Sequence, residues 1–146
     1  MTTILALTNA FIFTLLGLLH LYWMLGGKWG LAQALPSSET GEVILKPGPA
    51  ACLIVALGLL GFAFYNISLG LGWSLALPFG LEKWGIWVLA AIFMLRAIGD
   101  FRFIGFFKKV KNTVFGKMDT RWYAPLCLYL GLSSAWIGWA TTNHAG

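Results

Sequence analysis

Arg96, Asp100 and Arg102 fall within seven residues, in the stretch MLRAIGDFRF, of a chain that is 59% apolar and only 10% charged. Charged side chains taken out of water need partners, so their placement points to chemistry or to pairing. Arg96 and Asp100 are four apart and would share one face of a helix, where they can pair locally. The pair would leave guanidinium donors free for an anion. The plainer reading is an arginine that snorkels to an interface or simply ties its helix to Asp100. His20, in HLYWMLGG, could pass a proton, donate to a carboxylate or bind a metal, although a lone histidine in an apolar helix also serves as a hydrogen-bonded packing residue. Tyr22 and Trp23 read most simply as interfacial anchors. In KMDTRWYAP, Asp119 or Thr120 can cap the following helix, and Arg121 can be an ordinary basic loop residue.

These residues must be positioned by apolar helices. No charge occurs from Met1 to Gly27 or from Pro47 to Leu81, and roughly 20 apolar residues suffice to cross a bilayer. Further apolar runs start at Trp84 and extend from Trp122 to Asn143. The expected architecture is all-α: one integral membrane domain over residues 1–146, a four-helix bundle with spans at about 3–25, 50–70, 84–104 and 122–142. The third helix could run on to Phe107 or end near Asp100. Export-signal character is weak, because no basic residue precedes the first run and that run is longer than a signal core. Pro47 and Pro49 suit an extended entry and first turn of the second helix, Glu82 can cap the third, and Pro78 breaks the short connection before it.

Charge sets the expected orientation. The connections at 26–48 and 101–122 carry Lys28, Lys46, Arg102, Lys108, Lys109, Lys111, Lys117 and Arg121, against Lys83 alone opposite. By the positive-inside rule the basic side is cytoplasmic, so both termini face outward. Trp73, Trp84, Trp87, Trp136 and Trp139 then supply an outer aromatic belt, and Trp23, Trp29, Trp122 and Tyr123 an inner one. The formal charge of +5 is concentrated in the third connection, which reads as a membrane-flanking loop and not as a nucleic-acid surface. His20, Arg96, Asp100, Asp119 and Arg121 all fall on the cytoplasmic half, whereas Asn66, Ser68, Ser133 and Ser134 read as packing residues.

Cys52 and Cys127 are too few for a disulfide scaffold, and with His20 they lack any diagnostic metal spacing, so no metal and no cofactor is expected. HLYWMLGG, the proline-bearing loop, RAIGDFRFIGFFK and FGKMDTRWYAPLCL together resemble the bacterial membrane proteins grouped as the domain of unknown function 3995 family. The resemblance implies a small four-helix membrane protein, directs attention to His20, Tyr22, Trp23, Arg96, Gly99, Asp100, Asp119 and Pro125, and brings no activity with it.

The expected function is a multi-pass protein of the bacterial inner membrane with a cytoplasmic-side polar site, made by His20, Tyr22, Trp23, Arg96, Asp100, Asp119 and Arg121. It would bind an anionic lipid, a metabolite or a partner subunit, and a homo-oligomer is a further possibility. One alternative is a membrane enzyme acting on a lipid or quinone-like substrate, with His20 as acid/base positioned by Asp100 or Asp119 and Arg96 stabilising negative charge. Another is a small proton-coupled transporter with His20 and Asp100 as relay, against which stands the lack of an inverted repeat.

Overall fold

The computed structural model describes residues 1–38, 40, 42–44, 46–75 and 80–143, apart from the side chain of Glu82. Pro78 as a breaker and Glu82 as a cap lie outside the described residues. The helices are α1 (Thr2–Met24), α2 (Leu31–Ala34), α3 (Pro49–Leu71), α4 (Leu81–Ile98), α5 (Val114–Met118) and α6 (Ala124–Asn143), with a π-helical turn, Asp119–Tyr123, joining α5 to α6. No strand occurs among the described residues. An isolated antiparallel bridge, Ser37 to Val43, closes the turn that leads toward α3.

Small residues let the long helices approach closely. Gly17 of α1 lies against Leu60 and Ala56 of α3, and Gly70 of α3 against Leu7 and Ala6 of α1, so these helices run antiparallel. In the same way Gly131 of α6 meets Met94, and Gly138 meets Ile86 and Trp87, pairing α6 antiparallel with α4. The two pairs join where Ser133 donates to the Asn9 carbonyl oxygen at 3.0 Å. Between them Phe13, fully buried, stacks against Phe62 at 5.8 Å and Phe93 at 5.2 Å. Asn66, Ser68, Ser133 and Ser134 are buried in this interior. Asn66 and Ser68 bond carbonyls of their own helix.

The outward faces are as apolar as the core. α1 and α3 are each long and apolar enough to cross a membrane, with mean hydropathy 2.0 and 2.1 over an 18-residue window of which only 28% is buried. Ile4, Phe11, Ile54 and Leu57 are among the exposed side chains. A helix apolar on every side is one that a large core or a bilayer can accommodate, and these two helices keep most of their apolar surface outside the protein's own core.

α4 stops at Ile98, at the shorter of its two expected ends, near Asp100 and short of 104, because Gly99 takes φ 90° and turns the chain out of the helix. Another boundary differs from expectation. The helical run that leads through α5 and the π-helical turn into α6 begins at Val114, eight residues before Trp122. Its cap is Thr113, whose hydroxyl accepts from the Gly116 N–H at 2.9 Å. Asp119 and Thr120 therefore sit inside a helical run and do not cap it. Pro49 occupies the first turn of α3, where its missing N–H is harmless.

Candidate functional site

The segment after α4 folds back on the helix end through a pair of glycines. Gly99 and Gly105 both hold positive φ, 90° and 84°. A Cβ on Gly99 would collide with the Ile104 carbonyl, and one on Gly105 with the Ile98 carbonyl. Only glycine permits this approach. The Phe106 N–H then donates to the Ala97 carbonyl at 2.9 Å. Asp100 shapes the turn itself. Its Oδ1 accepts the N–H groups of Arg102, Phe103 and Ile104 at 2.9, 2.7 and 2.9 Å. Partial burial pushes the Asp100 carboxyl up, but those donors outweigh it and leave the pKa below the ordinary 3.8. The anticipated Arg96–Asp100 pair does not form: that spacing requires a continuous helix, and the helix has ended between the two.

Arg96 pairs with Asp119 instead. Its Nη2 donates to Asp119 Oδ1 at 2.9 Å. The other carboxylate oxygen accepts from Lys108 Nζ at 2.8 Å and from the Gly105 N–H at 2.8 Å. The Asp119 and Lys108 side chains have no solvent exposure, and Arg96 retains 31%. Lys108 places its remaining donors on the Gly105 carbonyl at 2.9 Å and the Thr120 hydroxyl at 2.7 Å. Two cations thus share one carboxylate, and the cluster carries one surplus positive charge. The π-helical turn starts at Asp119, and such turns mark places where a helix re-aims a side chain. Arg96 Nη1 is buried and has no hydrogen-bond partner among the described residues.

Arg96 lines a cavity of ≈ 1100 Å³ among the long helices, at the end that carries the 26–48 connection. Leu16, Leu59, Phe62 and Phe93 supply apolar wall, and His20, Trp23, Tyr123, Cys52 and Cys127 also border it. The His20 ring is held from two sides: Nδ1 is 2.8 Å from the Leu16 carbonyl, and the ring meets Trp23 edge-on at 4.9 Å. Trp23 Nε1 donates to the Trp29 carbonyl at 2.9 Å, which ties α1 to the segment over the cavity. A smaller cavity of ≈ 620 Å³ lies at the opposite end, beside Lys83, Trp84 and Thr142.

Of the seven residues expected to form the site, His20, Trp23 and Arg96 border one cavity. Asp119 lies behind Arg96 and orients it. Tyr22 lays its ring against Gly27, Asp100 is committed to the turn, and the Arg121 guanidinium sits over the Trp122 ring at 5.6 Å. Neither Asp100 nor Asp119 reaches His20, whose Nδ1 is bonded to Leu16. The carboxylate-positioned base of the enzyme alternative and the His20–Asp100 relay therefore both lose their second member. Lys108 and Gly105 were missed. Lys108 looks like one of a run of loop lysines, and the available signal was that Asp119 is the lone acid between Arg102 and Arg121. Among the described residues, no three His, Cys, Asp or Glu side chains gather as a metal-binding group.

The family model described as protein of unknown function (DUF3995) matches residues 13–134, a stretch that includes every residue of the site. No curated protein and no solved structure matches the chain.

Proposed function

We propose that this chain, which belongs to the DUF3995 family of proteins of unknown function, is a multi-pass bacterial inner-membrane protein whose cytoplasmic-side cavity binds an amphiphile with an anionic head group. The four long helices form the spanning bundle, with both termini outside. Their outward faces are apolar, and the basic loops lie together at one end, as the positive-inside rule requires of a cytoplasmic face.

The observation that carries the reading is Arg96, whose side chain, about a third exposed, borders an apolar cavity on a cluster with one surplus positive charge, and whose Nη1 has no hydrogen-bond partner among the described residues. A buried unpaired cationic donor is costly unless a ligand completes it. The cavity, at ≈ 1100 Å³, lies at the top of the roughly 300–1,000 Å³ range of small-molecule pockets, and its mostly apolar wall suits an alkyl chain. A carboxylate or phosphate head on Arg96, with an alkyl chain along Leu16, Leu59 and Phe62, satisfies both features.

The test is equilibrium binding of hexadecanoate and hexadecyl phosphate to the full chain in nanodiscs, with hexadecanol as the neutral control. Wild type is expected to prefer at least one of the acids over the alcohol, and Arg96→Met to lose at least about tenfold of that affinity, the size of a charge-assisted hydrogen bond. Equal binding of acid and alcohol, or unchanged affinity in Arg96→Met that still inserts and folds, contradicts the reading.

A further inference from the structure

The geometry around His20 points to a second requirement on the ligand: we infer that it carries a hydroxyl or similar hydrogen-bond donor beside its acid group, read by His20 Nε2. This rests on the amphiphile reading above and deepens it. A backbone carbonyl can only accept, so the 2.8 Å contact between His20 Nδ1 and the Leu16 oxygen places a proton on Nδ1. In the neutral ring the other nitrogen, Nε2, is then an acceptor. The ring cannot readily turn to exchange the two, because Trp23 packs edge-on against it. Nδ1 makes the only hydrogen bond of the His20 side chain among the described residues.

His20 and Arg96 line the same cavity, and their roles are complementary. Arg96 has donors only, so it reads the acid and nothing else about the head group. His20 Nε2 offers the lone pair that a hydroxyl on the ligand would use. Of the other polar groups on the wall, Trp23 Nε1 is occupied by the Trp29 carbonyl and the thiols of Cys52 and Cys127 are weak partners; Gln33 and Tyr123 also border the cavity, and the His20 variants separate their contribution from that of His20. A ligand with an acid and an O–H spaced to match the two groups satisfies both, whereas a plain acid satisfies one, and an O–H on the carbon next to the acid is the shortest spacing to test.

The experiment uses matched probes on the full chain in nanodiscs: hexadecanoate, 2-hydroxyhexadecanoate and 2-methoxyhexadecanoate, together with the equivalent hexadecyl phosphates. In wild type the 2-hydroxy probe of the preferred acid series should bind roughly fivefold more tightly than the unsubstituted one, the range of a single neutral hydrogen bond. The methoxy probe should show no gain. In His20→Phe the ratio of hydroxy to unsubstituted affinity should fall to about one, whatever the absolute affinities, and in His20→Gln, whose amide oxygen can accept, the ratio should partly return. If wild type binds the acids but does not distinguish hydroxyl from hydrogen, or if His20→Phe keeps the preference, this inference fails and the anionic-amphiphile reading stands. If no acid probe binds, both fall.

Discussion

Asp119 holds two cations with one carboxylate, so the three partners are not equivalent under substitution. Arg96→Met leaves a neutral Lys108–Asp119 pair that still has the Gly105 N–H. Lys108→Met leaves a neutral Arg96–Asp119 pair. Asp119→Leu leaves two cations facing each other without an anion, and breaking a buried pair in this way costs about 3–5 kcal/mol. Unfolding in detergent should therefore rank Asp119→Leu as the most destabilised. Adding Lys108→Met to Asp119→Leu should cost less than the sum of the single losses, because the second substitution removes a stranded charge. Strict additivity would show that the triad does not act as a unit. The sequence singled out Arg96, Asp100 and Asp119 but paired the wrong two, since four-residue spacing means proximity only while the helix continues. Lys108 was illegible because its partner is set by how the chain returns to the helix end.

The segment from Gly99 to Thr113 is the element that makes the triad possible. It has no regular structure of its own, yet Asp100, Gly105 and Lys108 each hold it at a defined point. Gly99 offers the sharpest test when compared with Gly26. Both have φ near 90°, but a Cβ on Gly26 would meet nothing within 4 Å, whereas one on Gly99 would strike the Ile104 carbonyl. Gly26→Ala should carry only the left-handed backbone cost, roughly 1–2 kcal/mol. Gly99→Ala should exceed it clearly, and should also weaken Lys108 protection by displacing the turn. Equal shifts in thermal midpoint would argue against the close glycine pairing. Much of the helical framework was legible from apolar run length and from Pro49. The helical start at Val114 was not, because VFGKM lies among loop lysines and its cap, Thr113, has no capping-box partner three residues on.

At the scale of the molecule, two antiparallel helix pairs meet on an aromatic cluster of Phe13, Phe62 and Phe93 and part toward one end, where the cavity opens between them. Composition made the apolar helices visible in advance. It could not show the cavity, which depends on which faces of α1, α3, α4 and α6 meet and on the segment around Trp29 that borders it. The central claim is that an anionic head seats on the Arg96 guanidinium with its chain among the helices. The most direct measurement is an experimental density map of the full-length protein purified from its membrane with native lipid retained. The account predicts elongated density in this cavity, its head within hydrogen-bond distance of the Arg96 guanidinium and its tail along Leu16, Leu59 and Phe62. A cavity holding only water, or a lipid whose head lies on Lys109 and Lys111 with Arg96 Nη1 bonded to protein, would contradict it.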